Sequence, residues 1–69
     1  MPDFTQLTDR QREILQLIVE GQANKEIADH LNLSIKTIEF HRSKIMTKLG
    51  AKSAAELTKL AIQQGILPG

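Results

Sequence analysis

The sequence predicts an all-α fold, a four-helix bundle, and three observations predict it. Apolar residues recur at helical spacing in four successive stretches, each preceded by a residue able to cap a helix N-terminus. No strand-like alternation of useful length competes with them. The chain has 69 residues, enough for one core and no more, because a domain of this size buries only about 60% of its unfolded surface.

The first helix opens at "TDRQ", where Thr8 and Gln11 have capping-box spacing, and runs to about Glu20 before Gly21 stops it. Ile14, Leu15, Leu17 and Ile18 supply its apolar face. Asn24 is the expected cap of a short second helix, "KEIADHL", in which Ile27, Ala28 and Leu31 share a face. "NLS" makes the turn, with Asn32 suited to a positive φ and Ser34 suited to cap the third helix, which continues to Gly50. A short helix, a tight turn and a longer helix have a helix-turn-helix rhythm. "SAAE" at Ser53 to Glu56 reads as a second capping box opening a fourth helix, which reaches Gln64 before Gly65 and Pro68 close the chain. Leu57, Leu60 and Ala61 are its expected core face, leaving Ala54, Thr58 and Ile62 as a stripe facing elsewhere.

Composition excludes several classes. There is no cysteine, so neither a disulfide nor a thiolate metal site is available, and His30 and His41 alone do not complete a zinc site. No metal or cofactor is therefore expected. The longest apolar run is Leu17-Ile18-Val19, against the ~20 residues of a membrane-spanning helix, and "MPDFTQL" has no signal-peptide pattern. A cytoplasmic setting without membrane association is the natural expectation. No grouping of nucleophile, base and orienting residue suggests an enzyme.

Net charge is only +1, but its distribution is uneven. Residues 1–35 carry three basic and six acidic side chains, whereas residues 36–52 carry Lys36, Arg42, Lys44, Lys48 and Lys52 against Glu39 alone. Positive charge thus gathers in and just after the third helix, as an electrostatic footprint for a polyanion.

At ~100° per residue, Ile38, Ile45 and Leu49 form the core stripe of that helix. Lys36, Phe40, Ser43 and Thr47 lie opposite, with Glu39 and Met46 on one flank and Lys44 and Thr37 on the other. Phe40, one of two aromatic residues in the chain, therefore falls on the wet side. It either folds back onto Lys44 or the first helix, or enters a DNA major groove, where an apolar side chain meets a thymine methyl. Lys36 and Ser43 would then reach base edges or phosphates, while Arg42 and the flanking lysines bind phosphate. Glu39 either pairs with Arg42 at i+3 or accepts from cytosine N4. His41, at the edge of the apolar stripe, is expected to be packed and hydrogen-bonded.

The segment "LTDRQREILQLIVEGQANKEIADHLNLSIKTIEFHRSKIMTKLGAKSAAEL" closely resembles the LuxR-type helix-turn-helix domain, also known by its FixJ, NarL and GerE members. The resemblance runs from about residue 7 to 66 and rests on four blocks: "LTDRQREIL", "ANKEIADHLNLS", "KTIEFHRSKIMTKLG" and "AKSAAEL". "T-I-E-F-H-R" looks like the FixJ-like response-regulator branch. The resemblance implies four helices, the third in the major groove, and a dimer joined through the fourth. It implies base contacts at Glu39, Phe40 and Ser43, and phosphate contacts at Lys25, Lys36, Thr37, Arg42, Lys44 and Lys52, with Lys36 also placed by the helix geometry to reach a base edge. The implied dimer interface is Ala54, Thr58 and Ile62. Three departures stand out: Gln11 where the family often has glutamate, Ala54 where many members have arginine, and Glu39 where NarL-like members can carry a base-contacting lysine.

The reading that follows is a single DNA-binding domain, residues 1–69 with a core of about 7–66, of a bacterial transcription regulator. Expected partners are double-stranded DNA, a second copy, an N-terminal receiver or ligand-binding domain if this is the output module of a longer chain, and RNA polymerase. Region four of a sigma factor has a similar opening, but "KLGAKSAAELTKLAI", with a further capped helix, argues against it. A helical module docking on an acidic protein is the alternative outside nucleic acid, and salt-sensitive duplex binding separates the two.

Overall fold

The computed structural model describes residues 4–65, which fold as four α-helices after a single 3-10 turn at Phe4–Gln6. The helices are α1 (Asp9–Val19), α2 (Asn24–Leu31), α3 (Ile35–Leu49) and α4 (Ala54–Gln63), and no strand occurs among the described residues. Ile66 and Pro68, assigned above to the family match and the chain's close, lie outside them.

Each helix starts and stops for a local reason. At α1 both halves of the capping box form: the Gln11 N–H donates to Thr8 Oγ1 at 3.1 Å and the Thr8 N–H to Gln11 Oε1 at 3.2 Å. Ser34 and Ser53 cap α3 and α4 by accepting from the N–H groups of Thr37 and Glu56. The expected box at Ser53 is only half formed, since Glu56 makes no reciprocal bond to the cap. Asn24 is not the cap of α2. Ala23 occupies that position, and the Glu26 carboxylate reaches back to its N–H at 2.8 Å, which frees the Asn24 side chain for tertiary use.

The first three helices end alike. Gly21, Asn32 and Gly50 take positive φ, and the residue after each donates across the turn, as Leu33 does to the Ala28 carbonyl at 2.9 Å. Asn32, at φ 57° and ψ 45°, is the left-handed residue of the helix-turn-helix. Its side chain makes that conformation cheaper than most residues would.

The predicted apolar stripes meet in one core. Ile14, Leu15, Ile27, Ile38, Ile45 and Leu57 are fully buried, joined by Leu7, Leu17, Ile18, Ala28, Leu49 and Ala51. The α3 helix packs against both α1 and α2, and α4 packs against α1. In α4, Leu57 and Ala61 are buried and Leu60 half-buried. Ala54 departs from the expected outward stripe: it packs partly on the core, because the first turn of α4 lies close to the body. Thr58 is half-buried and donates to the Ala54 carbonyl at 3.0 Å, while Ile62 is 41% exposed.

Candidate nucleic-acid interface

With one face of α3 committed to the core through Ile38, Ile45 and Leu49, the opposite face is fixed by the helical repeat. Lys36, Glu39, Phe40, Ser43, Lys44 and Thr47 are all exposed on it or beside it. The N-terminal end of α3 has no acidic residue in its first turn and carries Lys36 there. The partial positive charge of the helix end and the lysine therefore reinforce each other, an arrangement unfavourable in isolation and favourable beside an anion. Thr37 is half-buried, and its hydroxyl lies 2.8 Å from that of the Ser34 cap. Lys25, in the first turn of α2, and Lys52, between α3 and α4, are exposed.

Phe40 folds back only in part. Lys44 does lie over the ring, with Nζ 5.6 Å from the centroid, and His41 meets the ring edge-on at 5.6 Å. The ring nevertheless remains 57% exposed, the most open large apolar side chain among the described residues. A cation over an exposed ring contributes about 0.5–1 kcal/mol, enough to favour one rotamer but too little to hide it.

Arg42 is placed differently from the other basic residues. It is half-buried, and its guanidinium donates to Asn24 Oδ1 at 3.1 Å, bracing α3 against the start of α2. The alternative pairing of Glu39 with Arg42 does not form; the ion pair among the described residues is Arg10 with Glu13. His41 is half-buried as expected, but its Nδ1 is enclosed and has no hydrogen-bond partner among the described residues, so packing rather than hydrogen bonding holds it.

Lys48 was legible only as part of the charge cluster. Its ammonium donates to the Gln6 carbonyl at 3.1 Å and to Gln11 Oε1 at 2.8 Å, tying the end of α3 to the start of α1. Gln11 is 5% exposed, so the residue that caps α1 also receives the brace from α3. A groove lined by Phe4, Leu7, Arg12 and Leu15 shares no residue with the outer face of α3. The basic surface is a ridge, not a cleft. Among the described residues no group of three or more His, Asp or Glu side chains could hold a metal, and no helix is long and apolar enough to cross a membrane.

A short helix and a left-handed turn presenting a longer basic helix as a ridge define a helix-turn-helix DNA-binding protein. Residues 5–61 match the GerE group of bacterial regulatory proteins, the luxR family, and the chain belongs to that family. It is 56% identical over 61 residues, 88% of its length, to the uncharacterized response regulatory protein YgeK of Escherichia coli (strain K12), of which it covers 42%. It is 50% identical over 64 residues to the oxygen regulatory protein NreC of Staphylococcus aureus (strain JH9), covering 93% of this chain and 30% of that one. Among solved structures, full-length FixJ from B. japonicum superposes with a TM-score of 0.82 at 38% identity, over 91% of this chain and 31% of FixJ. The Vibrio cholerae VqmA dimer, a LuxR-type receptor, superposes with a TM-score of 0.83 at 38% identity, over 87% of this chain and 27% of VqmA. The chain thus spans less than half the length of these relatives.

Proposed function

We propose that this chain is the sequence-specific, double-stranded DNA-binding domain of a bacterial response-regulator transcription factor, with α3 in the major groove. The observation that carries the reading is the outer face of α3, where Phe40 stands exposed among Lys36, Ser43 and Lys44 on a helix whose other side is locked into the core. On this reading Glu39, Phe40, Ser43 and Lys36 meet base edges, and Lys25, Thr37, Lys44 and Lys52 meet phosphates. Arg42 serves first as a brace through Asn24, and its remaining N–H groups face the backbone of the DNA. Phosphate contacts position the helix and supply salt-dependent affinity, while base contacts specify.

Dimerisation through α4 would place two such helices on inverted half-sites, with Thr58 and Ile62 at its centre and Ala54 at its edge. The exposed part of that stripe is small, which suits a dimer that forms on DNA more than one that persists without it. The whole regulator would add an N-terminal receiver or ligand-binding domain controlling dimerisation, act in the cytoplasm, and meet RNA polymerase at the promoter. Its action is binding, with no catalytic step assigned to any residue.

The test is selection of bound duplexes from a random pool, with dissociation constants of the winners measured at two salt concentrations. Enrichment of a repeated motif with salt-dependent affinity is expected. Absence of duplex binding even at low salt would overturn the assignment in favour of an acidic protein partner for the basic ridge.

A further inference from the structure

Glu39 is the one acidic side chain in the basic stretch of residues 36–52. Its expected partner is taken, because Arg42 donates to Asn24 instead, and the Glu39 carboxylate has no hydrogen-bond or ion-pair partner among the described residues. An uncompensated carboxylate entering a field of phosphates is repelled unless it accepts from a donor there. In the major groove such donors are exocyclic amines, of which cytosine N4 is the usual carboxylate partner.

The next residue is Phe40, whose ring is steadied by Lys44 over one face and by a T-shaped contact with His41 and remains 57% exposed. A restrained ring loses less freedom on binding than a mobile one. Its complement in the groove is apolar, and the apolar group on a base edge is the methyl at pyrimidine C5. The two adjacent side chains therefore ask for an amine donor at C4 and a methyl at C5. Thymine has the methyl but presents an acceptor at O4, which repels Glu39. Unmodified cytosine has the amine but leaves Phe40 without a methyl to cover. Methylation of cytosine at C5 puts both groups on neighbouring atoms of one ring.

Resting on the DNA-binding reading above, we propose that Glu39 and Phe40 together sense the C5 substituent of a cytosine, and that the domain prefers 5-methylcytosine at that position of its site. DNA methylation would then act directly on affinity, through the recognition helix.

The experiment takes the duplex recovered by selection and replaces each cytosine in turn with 5-methylcytosine and each thymine with uracil, measuring binding by fluorescence anisotropy. At one cytosine per half-site, methylation is expected to tighten binding about fourfold, the equivalent of one methyl group removed from water. Phe40→Ala should erase that ratio, and Glu39→Gln should reduce the preference for cytosine over thymine there, since the amide offers a donor to O4. Binding of the unmodified duplex with no gain from methylation at any cytosine would overturn the inference while leaving the DNA-binding reading intact. So would a loss confined to uracil at a thymine, which would place Phe40 and Glu39 on different bases. Failure to bind any duplex would remove both.

Discussion

Replacing Gln11 with alanine tests whether the recognition helix is clamped at its C-terminal end. Gln11 is 5% exposed, and its Oε1 accepts from both the Thr8 N–H at 3.2 Å and the Lys48 ammonium at 2.8 Å. A hydrogen bond to a charged group contributes about 1.5–3 kcal/mol when desolvated. Lys48 is exposed, so water replaces part of what is lost and about 1 kcal/mol is the fitting figure. Loss of the reciprocal half of the capping box adds about 0.5–1 kcal/mol, and the buried methylene adds about 0.8 kcal/mol. The sum is about 2–3 kcal/mol, which for a domain of this size lowers Tm by roughly 10–20 °C. Thermal and urea unfolding followed by far-UV circular dichroism measure it. Lys48→Ala should lose about 1 kcal/mol, and the double variant should show coupling of similar size. Gln11→Glu, which keeps an acceptor for both bonds and faces Lys48 with a charge, should be neutral or slightly stabilising. A loss below about 0.5 kcal/mol for Gln11→Ala, or strict additivity with Lys48→Ala, would refute the clamp.

Further outcomes are expected for the outer face of α3, its C-terminal glycine and α4. Lys52→Ala should weaken binding to every duplex and reduce the salt slope by about 1, whereas Phe40→Ala should mainly reduce discrimination, by on the order of 1–3 kcal/mol. Because Lys44 lies over Phe40, Lys44→Ala should do some of each, visible as a smaller salt slope together with a smaller ratio of specific to random affinity. Gly50→Ala should destabilise by about 1 kcal/mol in urea unfolding: an added Cβ would meet nothing within 4 Å, so the effect is the positive φ of 67° alone. Ile62→Glu should weaken binding to a two-half-site duplex while leaving a single half-site unaffected, and equal losses on both would remove α4 from the dimer reading.

Most of the helices were legible because their causes are local. Thr8, Ser34 and Ser53 cap within three residues, Asn32 and Gly50 turn the chain by their own conformational preferences, and apolar spacing assigns each helix a buried face. The same periodicity placed Phe40 outside, and exposure follows once Ile38 and Ile45 are inside. Asn24 shows the limit of such reasoning: its type suits a cap, but Glu26 serves that turn through Ala23, and Asn24 is used by a residue 18 positions away.

Tertiary structure decided the partners. Glu39 with Arg42 and Asn24 with Arg42 are both chemically sound pairs, and only the docking of α2 on α3 selects the second, leaving Glu39 an open acceptor. Lys48 and Gln11 are 37 residues apart, and nothing near either one signals the other. Ala54 was drawn partly inward by the approach of α4 to the core, which no helical wheel of α4 alone contains. Caps and periodicity are short-range and written residue by residue, so the sequence by itself determined the four helices and the face each one buries. Which polar groups meet across helices depends on how those faces pack, and that was settled only when the core closed.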